Sequence, residues 1–492
     1  MVHRRGTKRR WAWSVVGAAV VVASGLVASA CVAAPVPVEF PEGPGDVVSP
    51  VAADPVGPLQ FRGADLVDAE GRVVLIHGTN MVQKTAPSFV QVDGPILNAA
   101  NLAQLERDGV NGVRLGVRAD ALMPEPGVVD QDYLDRVMEG VDLLGDRGMW
   151  VLMDFHQDVF DGMPSWATTP ATAALPVFPA EQAQGAAWAL QYLSPRSLGQ
   201  WDDWWDQVPV ADGRSAADLY GDGLVEVARR VEDRAHVIGI DLMNEPFPGG
   251  RFFDCVAGRC ASRYAQVESV LSSWTERVRA EVPTMNVWWA PFNFGPPFQG
   301  TADPGEGVGY TFHSYCLGTD GGEAEQPDAT SNTLCQGVYD GAVDDAVAVS
   351  RRWDAPVLLG EFGASASPLN STRLTELADE RLMSWMHWHC CTASEVVRTN
   401  LVRTYAQATA GELLSQQYDP GTGEFELRFR PDAAIEAPTV IAVPSDPYPS
   451  GYTAEVSGGI VTSLGQSGRL TVVADPGAAE VVVVVRRVAP TS

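Results

Sequence analysis

Residues 236–250 read HVIGIDLMNEPFPGG, an apolar run that ends in an asparagine and a glutamate and is stopped by a proline. The run has the length and composition of a buried strand, and Pro246 cannot continue it. A carboxylate at the end of a buried strand is costly to desolvate unless it is paired or used chemically. Glu245 could therefore be a salt-bridged core residue, an acid at a helix start, or a reactive group on a rigid mount.

Seven other apolar runs of strand length surround this one, and most of the eight are followed by a helical pattern. The eight runs span residues 73–81, 109–117, 148–158, 236–246, 286–294, 307–315, 355–363 and 384–390. Apolar residues at helical spacing mark residues 97–108, 132–146, 215–232, 262–280, 342–352 and 374–383. Strands that alternate with helices and are apolar on both faces predict an α/β fold, a (β/α)8 TIM barrel. The link between the fifth and sixth strands is too poor in apolar residues for a full helix.

The chain changes character after residue 398. Short alternating or apolar runs follow one another, separated by glycine, proline and aspartate, with no helical pattern between them. We predict a C-terminal antiparallel β-sandwich domain over residues 399–492, with VVVVV at 481–485 as a central strand. The catalytic barrel is predicted over residues 60–398.

The N-terminus has the pattern of an export signal. Basic residues precede an apolar run over 14–30 that is short for a membrane span, so residues 1–30 are predicted to be a signal peptide. Ala28-Ser29-Ala30 fits a signal-peptidase site, and the same residues with Cys31 resemble a loose lipobox that lacks the usual leucine. The protein is therefore predicted to be secreted, with a lipid anchor through Cys31 as the alternative. Residues 31–59, rich in proline and glycine, read as a tether.

Cysteine count and charge limit the classes of partner. Seven cysteines are an odd number for an exported protein, and reserving Cys31 for lipid leaves six. Cys255 with Cys260, and Cys316 with Cys335, could close local loops, whereas the pairing of the adjacent residues at 390 and 391 stays open. A net charge of −28 disfavours nucleic acid and anionic lipid as partners. No cysteine or histidine spacing suggests a structural metal, and no cofactor is predicted.

The polar ends of the strands predict a common pocket, because the carboxyl ends of barrel strands meet at one face. That pocket would collect His77, Asn80, Arg114, His156, Asp158, Asn244, Glu245, Asn293, His313, Tyr315, Glu361 and Trp388. Glu245 on the fourth strand and Glu361 on the seventh would face each other across the mouth. One carboxyl group can protonate a leaving oxygen while the other attacks carbon, so these two are the predicted catalytic residues. Groups ~5–5.5 Å apart would imply retention of configuration.

The residues near the two carboxylates also have structural interpretations that need no role in catalysis. Arg114 could pair with any acid, but beside Glu361 it would keep that group ionised. His156 and Asp158 could be metal ligands, yet no third ligand lies at metal spacing, so no metal is predicted. His313 could be a satisfied strand-end histidine. We give Arg114 and His313 supporting roles.

A long insertion, residues 159–213, lies between the third strand and its helix. It carries five tryptophans, at positions 166, 188, 201, 204 and 205. Because it follows the carboxyl end of a barrel strand, it belongs to the catalytic face. It could be a packed cap, or it could supply an apolar groove with side chains such as Trp166, joined by Phe298 from the loop after the fifth strand.

Several separated motifs resemble a known family. NEP at the end of the fourth strand, GEFG at the seventh, RLG at the second and HSY at the sixth are similar to glycoside hydrolase family five of the large retaining clan. The resemblance covers about residues 60–392. Within that family, HGTNMVQKTAP at 77–87 and DFHQDVF at 154–160 look like endoglycoceramidases, which also carry a C-terminal β-sandwich and cut between the glycan and the ceramide of glycosphingolipids.

The resemblance implies a role for each matching residue. Glu245 would be the acid/base and Glu361 the nucleophile, Asn244 would contact the sugar 2-hydroxyl, and Tyr315 would hydrogen-bond Glu361. The other implied substrate-binding residues, around the glycone site, are Lys84, His156, Asp158 and Trp388. Trp385 is the alternative to Trp388, because the motif around the eighth strand is less typical.

The resulting hypothesis is a retaining endo-β-glycosidase that hydrolyses glycosphingolipids by double displacement, as a monomer at a membrane or micelle surface. The alternative enzyme is a family-five β-glucosidase or endoglucanase acting on soluble or polymeric β-glucans. A non-catalytic glycan-binding lipoprotein is disfavoured because both glutamates are present. Whether the preferred head group is glucosyl- or galactosyl-linked stays open.

Overall fold

A computed structural model describes most of the chain after residue 56. The described residues are 38–40, 57–178, 185–293, 303–316, 329–364, 368–391, 393, 395–463 and 468–489. The predicted signal peptide, Cys31 and most of the predicted tether lie outside them. Among the described helices, none combines the length and apolar character needed to cross a membrane.

The strands are short, and those that form the barrel are almost entirely buried. In chain order they are β1 (Val38–Phe40), β2 (Gln60–Arg62), β3 (Asp65–Val67), β4 (Val73–Val74), β5 (His77–Met81), β6 (Gly112–Val117), β7 (Trp150–Phe155), β8 (Pro209–Ala211), β9 (Arg214–Ser215), β10 (Val237–Asp241), β11 (Val287–Trp289), β12 (Val308–Ser314), β13 (Val357–Phe362), β14 (Ser384–His387), β15 (Tyr405–Thr409), β16 (Gly411–Tyr418), β17 (Phe425–Pro431), β18 (Thr439–Ala442), β19 (Tyr452–Ser457), β20 (Gly459–Val461), β21 (Arg469–Ala474) and β22 (Val481–Arg487).

The helices fall between the strands of the first part of the chain. They are α1 (Ala99–Arg107), α2 (Ala119–Leu122), α3 (Gln131–Asp146), α4 (Pro170–Ala173), α5 (Pro195–Trp205), α6 (Ala216–Val231), α7 (Phe252–Val256), α8 (Ala261–Glu281), α9 (Ala329–Trp353), α10 (Pro368–Arg381) and α11 (Glu395–Leu401). All six predicted helical segments overlap helices of this set. The described parts of the link between β11 and β12, residues 290–293 and 303–307, contain no helix.

Eight strands close into a parallel barrel. β5, β6, β7, β10, β11, β12, β13 and β14 pair in chain order, and the circle closes where β14 pairs with β5. Each of the eight runs predicted from the sequence contains one of these strands. The prediction of a (β/α)8 TIM barrel is therefore confirmed, and the carboxyl ends of all eight strands open on one face.

The C-terminal part is a sandwich of two antiparallel sheets. One has the order β1-β19-β22-β17-β16 and the other β2-β3-β4-β15-β18-β21-β20. Alternating residues of β17 and β22 fill the space between the sheets, together with residues of β18 and β21. These buried residues are Phe425, Leu427, Phe429, Ile441, Leu470, Val472, Val481, Val483 and Val485. The predicted sandwich and its central VVVVV strand are confirmed.

The boundary between barrel and sandwich differs from the prediction. The run 73–81, predicted as one barrel strand, is two strands, and only β5 belongs to the barrel. β4 pairs with β15, so residues 60–74, predicted to start the barrel, form strands of the seven-stranded sandwich sheet. β1, within the predicted tether, pairs with β19. An apolar run shows that a strand is buried, but not which sheet buries it.

The insertion after β7 is a packed cap over much of its described length. Trp201, Trp204 and Trp205 on α5 are at most 1% exposed. Trp204 packs against the rings of Tyr220 and Trp274, and Trp201 stacks on Trp205. Trp166 is partly buried, and its indole N–H donates to the carbonyl of Met123. The three tryptophans of α5 are therefore structural, while the groove role of Trp166 stays a prediction. The side chain of residue 188 and Phe298 lie outside the described residues.

Candidate active site

The two predicted catalytic carboxyl groups lie together at the mouth of the barrel. One oxygen of Glu245, one oxygen of Glu361 and one ring nitrogen of His313 all lie within 4.8 Å of one another. Both glutamates are buried, with 7% and 4% of their surface exposed. This spacing agrees with the ~5–5.5 Å between carboxyl groups that retaining glycosidases use.

Glu361 lies on β13 and faces a permanent positive charge. Arg114 Nη1 donates to its Oε1 at 2.6 Å, and the hydroxyl of Tyr315 donates to its Oε2 at 3.1 Å. The hydrogen bond predicted between Tyr315 and Glu361 is therefore present. Both oxygens point to donors, which is the environment that an attacking carboxylate needs.

Glu245 is held on a bend beyond the strand. β10 ends at Asp241, and Glu245 has a φ of +44°, in the left-handed region that costs a non-glycine residue about 1–3 kcal/mol. Gln157 Nε2 donates to the carbonyls of Asn244 at 2.7 Å and Glu245 at 3.0 Å. The side-chain amide of Asn244 donates back to the Gln157 carbonyl at 2.9 Å. The prediction of a strand-end mount is thus corrected to a bend that is hydrogen-bonded to the segment after β7.

The surroundings of Glu245 favour its protonated form. Burial raises the pKa of Glu245 to about 7, and the negative charge of Asp158 adds to the rise. His313 Nδ1 lies 2.9 Å from Oε1, and burial lowers the pKa of this histidine to about 4, so its ring is neutral near pH 7. Glu245 can therefore hold a proton close to neutrality, while Glu361 faces a guanidinium group. The two carboxyl groups differ as an acid and a nucleophile must.

A second charged cluster lies beside the pair. Lys84 Nζ contacts Asp158 at 2.6 Å, His156 Nε2 contacts the same carboxylate at 3.3 Å, and His156 Nδ1 contacts Asp154 at 2.7 Å. Burial opposes a charge on His156, but the two carboxylates outweigh it and raise its pKa to about 9. Lys84 Nζ also lies 4.4 Å from the ring centroid of Trp388. Charged groups and an aromatic face thus lie together beside the two glutamates, with a cation over the ring of Trp388.

The structure distinguishes the two candidate tryptophans. Trp388 stacks on His156 with centroids 5.3 Å apart, at the mouth. Trp385 is 1% exposed and stacks on His77 at 4.4 Å. His77 in turn stacks on Tyr405 of the sandwich at 3.5 Å. His77 begins β5 and lies at the opposite end of the barrel, so the prediction that it lies in the pocket was wrong. Trp385, which stacks on it, is a core residue.

Most of the hydrogen-bonding capacity of the Asn244 side chain is taken up by other residues of the protein. Its Oδ1 accepts from Arg114 Nη2 at 2.8 Å, and its Nδ2 donates to the Gln157 carbonyl. One amide hydrogen is left for a substrate, which is enough for the predicted contact with a sugar 2-hydroxyl. That role stays a prediction.

Sequence reasoning missed residues that hold the site together. Asp154 and Asp241 accept from Arg114 Nη2 at 2.7 and 2.8 Å, and both are fully buried. Each is a charged residue inside an apolar strand run, a signal that the sequence did contain. Gln157 and Tyr192 gave no such signal, because one lies in a polar motif and the other in the insertion.

Two groups within the described part of the chain could offer three ligand atoms to a metal ion. They are Asp154 with His156 and Glu361, and Glu245 with His313 and Glu361. Both groups share Glu361, whose two oxygens already accept from Arg114 and Tyr315. The expectation that the reaction needs no metal stays a prediction.

A TIM barrel whose mouth holds a proton-bearing glutamate and a second glutamate paired to arginine defines a glycosidase that acts on O-glycosyl bonds. The sequence matches Cellulase (glycosyl hydrolase family 5) over residues 67–394 and the glycoside hydrolase family 5 C-terminal domain over residues 403–485. The chain belongs to glycosyl hydrolase family 5.

Individual relatives are similar over most of the chain. Endoglycoceramidase I of Rhodococcus hoagii (strain 103S) is 36% identical over 445 residues, which cover 86% of this chain and 87% of that protein. The solved lactosyl-enzyme intermediate of endo-glycoceramidase II from Rhodococcus sp. has a TM-score of 0.70 at 26% identity, covering 86% of this chain and 100% of that one. Its ganglioside GM3 complex has a TM-score of 0.70 at 26% identity, covering 87% and 100%.

The environment of Glu245 predicts the alkaline limb of the pH profile. With Glu245 as the predicted acid, kcat/KM for a substrate with a poor leaving group should fall as the pH rises above about 7, because the carboxyl group loses its proton there. A dinitrophenyl glycoside, whose leaving group departs without a proton, serves as the control and should lack that limb. The same limb for both substrates would contradict the assignment.

Proposed function

We propose that the protein is a retaining endo-β-glycosidase that hydrolyses the linkage between the glycan and the ceramide of glycosphingolipids. The observation that carries the proposal is the pair of buried glutamates with oxygens within 4.8 Å, in environments of opposite character. The 36% identity to an endoglycoceramidase supports the substrate class. The lactosyl-enzyme intermediate of a structural relative supports double displacement.

The first step forms a covalent glycosyl-enzyme. A carboxylate oxygen of Glu361 attacks the anomeric carbon as the bond from that carbon to the ceramide oxygen breaks. Glu245 donates its proton to the departing oxygen, so ceramide leaves as a neutral alcohol. Glu245 is then a carboxylate, and the glycan is an ester of Glu361.

The second step reverses the proton transfer. A water molecule takes the place of ceramide and gives a proton to Glu245 while its oxygen attacks the anomeric carbon. Glu361 departs as a carboxylate and again accepts from Arg114 and Tyr315. Each step inverts the anomeric centre, so the released glycan keeps its original configuration.

The cavity beside Glu245 is lined by both polar and apolar residues. Its polar lining residues include Glu245, Asn293 and His313, and its apolar ones include Phe292 and Val338. As bounded by the described residues, its volume is about 190 Å³, below the ~300–1,000 Å³ of sites that enclose a drug-sized ligand. The two chains of a ceramide would therefore extend beyond it, toward the protein surface.

Exposed apolar residues surround this face of the barrel, and we call them the apolar rim. They lie in the segments that follow β7, β10 and β12, and they are Leu175, Val177, Phe178, Leu190, Phe253, Val256, Leu334 and Val338. All three segments follow carboxyl ends of barrel strands and so lie on the side of the active site. The apolar rim supports action at a membrane or micelle surface, and the net charge of −28 favours a neutral surface over an anionic one.

We also propose that the protein is exported from the cell, either secreted freely or attached to the membrane by a lipid on Cys31. The six other cysteines form three disulfides, Cys255–Cys260, Cys316–Cys335 and Cys390–Cys391. Disulfides of this number are typical of proteins that mature in an oxidising compartment. Their pairing leaves Cys31 as the odd cysteine, which supports a separate role for it.

A substrate comparison tests the reaction. A ganglioside and a neutral lactosylceramide in detergent micelles should be cleaved to free glycan and ceramide, whereas a cello-oligosaccharide should be cleaved far more slowly. NMR of the first sugar product should show the β-anomer. Preferential cleavage of the cello-oligosaccharide would favour the β-glucanase alternative, and an inverted first product would exclude the double displacement.

The apolar rim is tested by making it polar. Phe253→Ser with Val256→Ser should raise the KM for glycolipid in neutral vesicles at least about tenfold, because an apolar side chain of this size contributes ~1.5–3 kcal/mol when fully buried. Cleavage of a soluble aryl β-lactoside should be unchanged. The matched control is Ile460→Ser with Val473→Ser, two exposed apolar residues of the sandwich. Equal effects of both pairs would reject the apolar rim as a lipid-facing surface.

The anchor is tested by fractionation of the full chain expressed in a bacterial host. If Cys31 is lipidated, the wild-type protein should partition into detergent, and Cys31→Ser should move to the aqueous phase. Intact mass of the mature protein identifies the cleavage site directly. A soluble wild-type protein that begins at residue 31 without added mass would establish simple secretion.

A further inference from the structure

Two residues with no assigned role approach the same oxygen of Glu245. Asn293 Nδ2 donates to Oε2 at 2.6 Å, and the hydroxyl of Tyr192 donates to Oε2 at 3.4 Å. The other oxygen, Oε1, faces His313 Nδ1 at 2.9 Å. The carboxyl group of Glu245 thus has one oxygen that receives two donors and one that faces a neutral ring nitrogen.

Both residues are anchored to the segment that carries Glu245. The backbone N–H of Asn293 donates to the carbonyl of Pro246 at 2.8 Å. Tyr192 is 1% exposed, and its ring lies 4.8 Å from that of Phe247. Its hydroxyl also hydrogen-bonds the side chain of Asn293 and the backbone of Val159. Each contact fixes the position of a donor relative to the carboxyl group.

An acid that receives two donors on one oxygen holds its proton on the other. A proton on Oε2 would point at the amide and hydroxyl donors. A proton on Oε1 can be accepted by His313 Nδ1 in the neutral tautomer that carries its ring hydrogen on Nε2. After the proton has passed from Oε1 to the leaving oxygen, Oε2 shares the new negative charge. Donors to a carboxylate form the stronger kind of hydrogen bond.

Resting on the acid/base role of Glu245 in the proposed function, we propose that Tyr192 and Asn293 are positioning residues that keep the proton of Glu245 on Oε1 and stabilise the carboxylate formed by proton transfer. The inserted segment after β7 thereby takes part in the chemistry through Tyr192. No new bond is made to either residue. The only proton that moves is the one between Glu245 and the glycosidic oxygen or water.

Other ionisable groups also face Glu245 and set the background against which these two donors act. They come from the segments after β5 and β7 and from β6, β12 and β13, and they are Lys84, Asp158, His156, Arg114, His313 and Glu361. None of these six side chains is itself substituted in a Tyr192→Phe or Asn293→Ala variant. A shift of the pH profile in such a variant therefore reports the lost donor.

The test combines Tyr192→Phe and Asn293→Ala with aryl β-lactosides of graded leaving-group ability. For a poor leaving group, kcat/KM should fall about tenfold for Asn293→Ala, and less for Tyr192→Phe because its contact is longer, in line with the net strength of hydrogen bonds to charged groups. For a dinitrophenyl leaving group the change should stay within about twofold. The alkaline limb should move to higher pH, because loss of a donor destabilises the carboxylate and raises the pKa of Glu245.

Tyr220→Phe is the matched control, since this buried tyrosine donates to the Leu242 carbonyl at 3.0 Å without touching either glutamate. It should change thermal stability without any dependence on the leaving group. Losses of equal size for all leaving groups, with an unmoved alkaline limb, would overturn the proposal. If one variant fails to fold, the other decides. Glu245→Gln separates the two proposals. If the loss of kcat/KM in Glu245→Gln does not depend on the leaving group, Glu245 is not the acid, and the proposed function itself is contradicted.

Discussion

The active site depends on the buried guanidinium group of Arg114. Its side chain is 0% exposed and bonds to carboxylates of Asp154, Asp241 and Glu361, with amide oxygens of Asn80 and Asn244 completing its shell. A buried charge is tolerable only when it is paired and fully hydrogen-bonded. Because these partners come from β5, β7, β13 and the β10 segment, one cation fixes the relative positions of both glutamates.

The same network gives the two carboxyl groups different environments. Glu361 lies directly on the guanidinium group and is offered as a nucleophile. Glu245 does not contact the guanidinium group, which instead bonds the neighbouring Asn244. Burial and the charge of Asp158 raise the pKa of Glu245 by more than the surrounding cations lower it. Two identical side chains thus acquire different chemistry from their distance to one arginine, as paired carboxylates in glycosidases require.

The sandwich and the cap hold this arrangement from both ends of the barrel. At the amino ends of the strands, Tyr405 stacks on His77, and Arg403 pairs with Asp379 of α10. At the carboxyl ends, the tryptophans of α5 pack within the insertion, and the hydroxyl of Tyr192 in the same insertion reaches Glu245. Aromatic side chains suit such a cap because they bury large areas in a few contacts.

The sequence by itself determined the barrel, the sandwich and the pair Glu245 and Glu361, because strand-length apolar runs, alternation and polar strand ends are local patterns. A motif resemblance also singled out Lys84, His156, Asp158 and Trp388, which the structure places close together. Only the tertiary structure decided that residues 60–74 join the sandwich, that Trp385 is core, and that Tyr192 reaches the acid. These facts depend on which surfaces meet across long stretches of chain, and packing between distant segments leaves no periodic trace in the sequence.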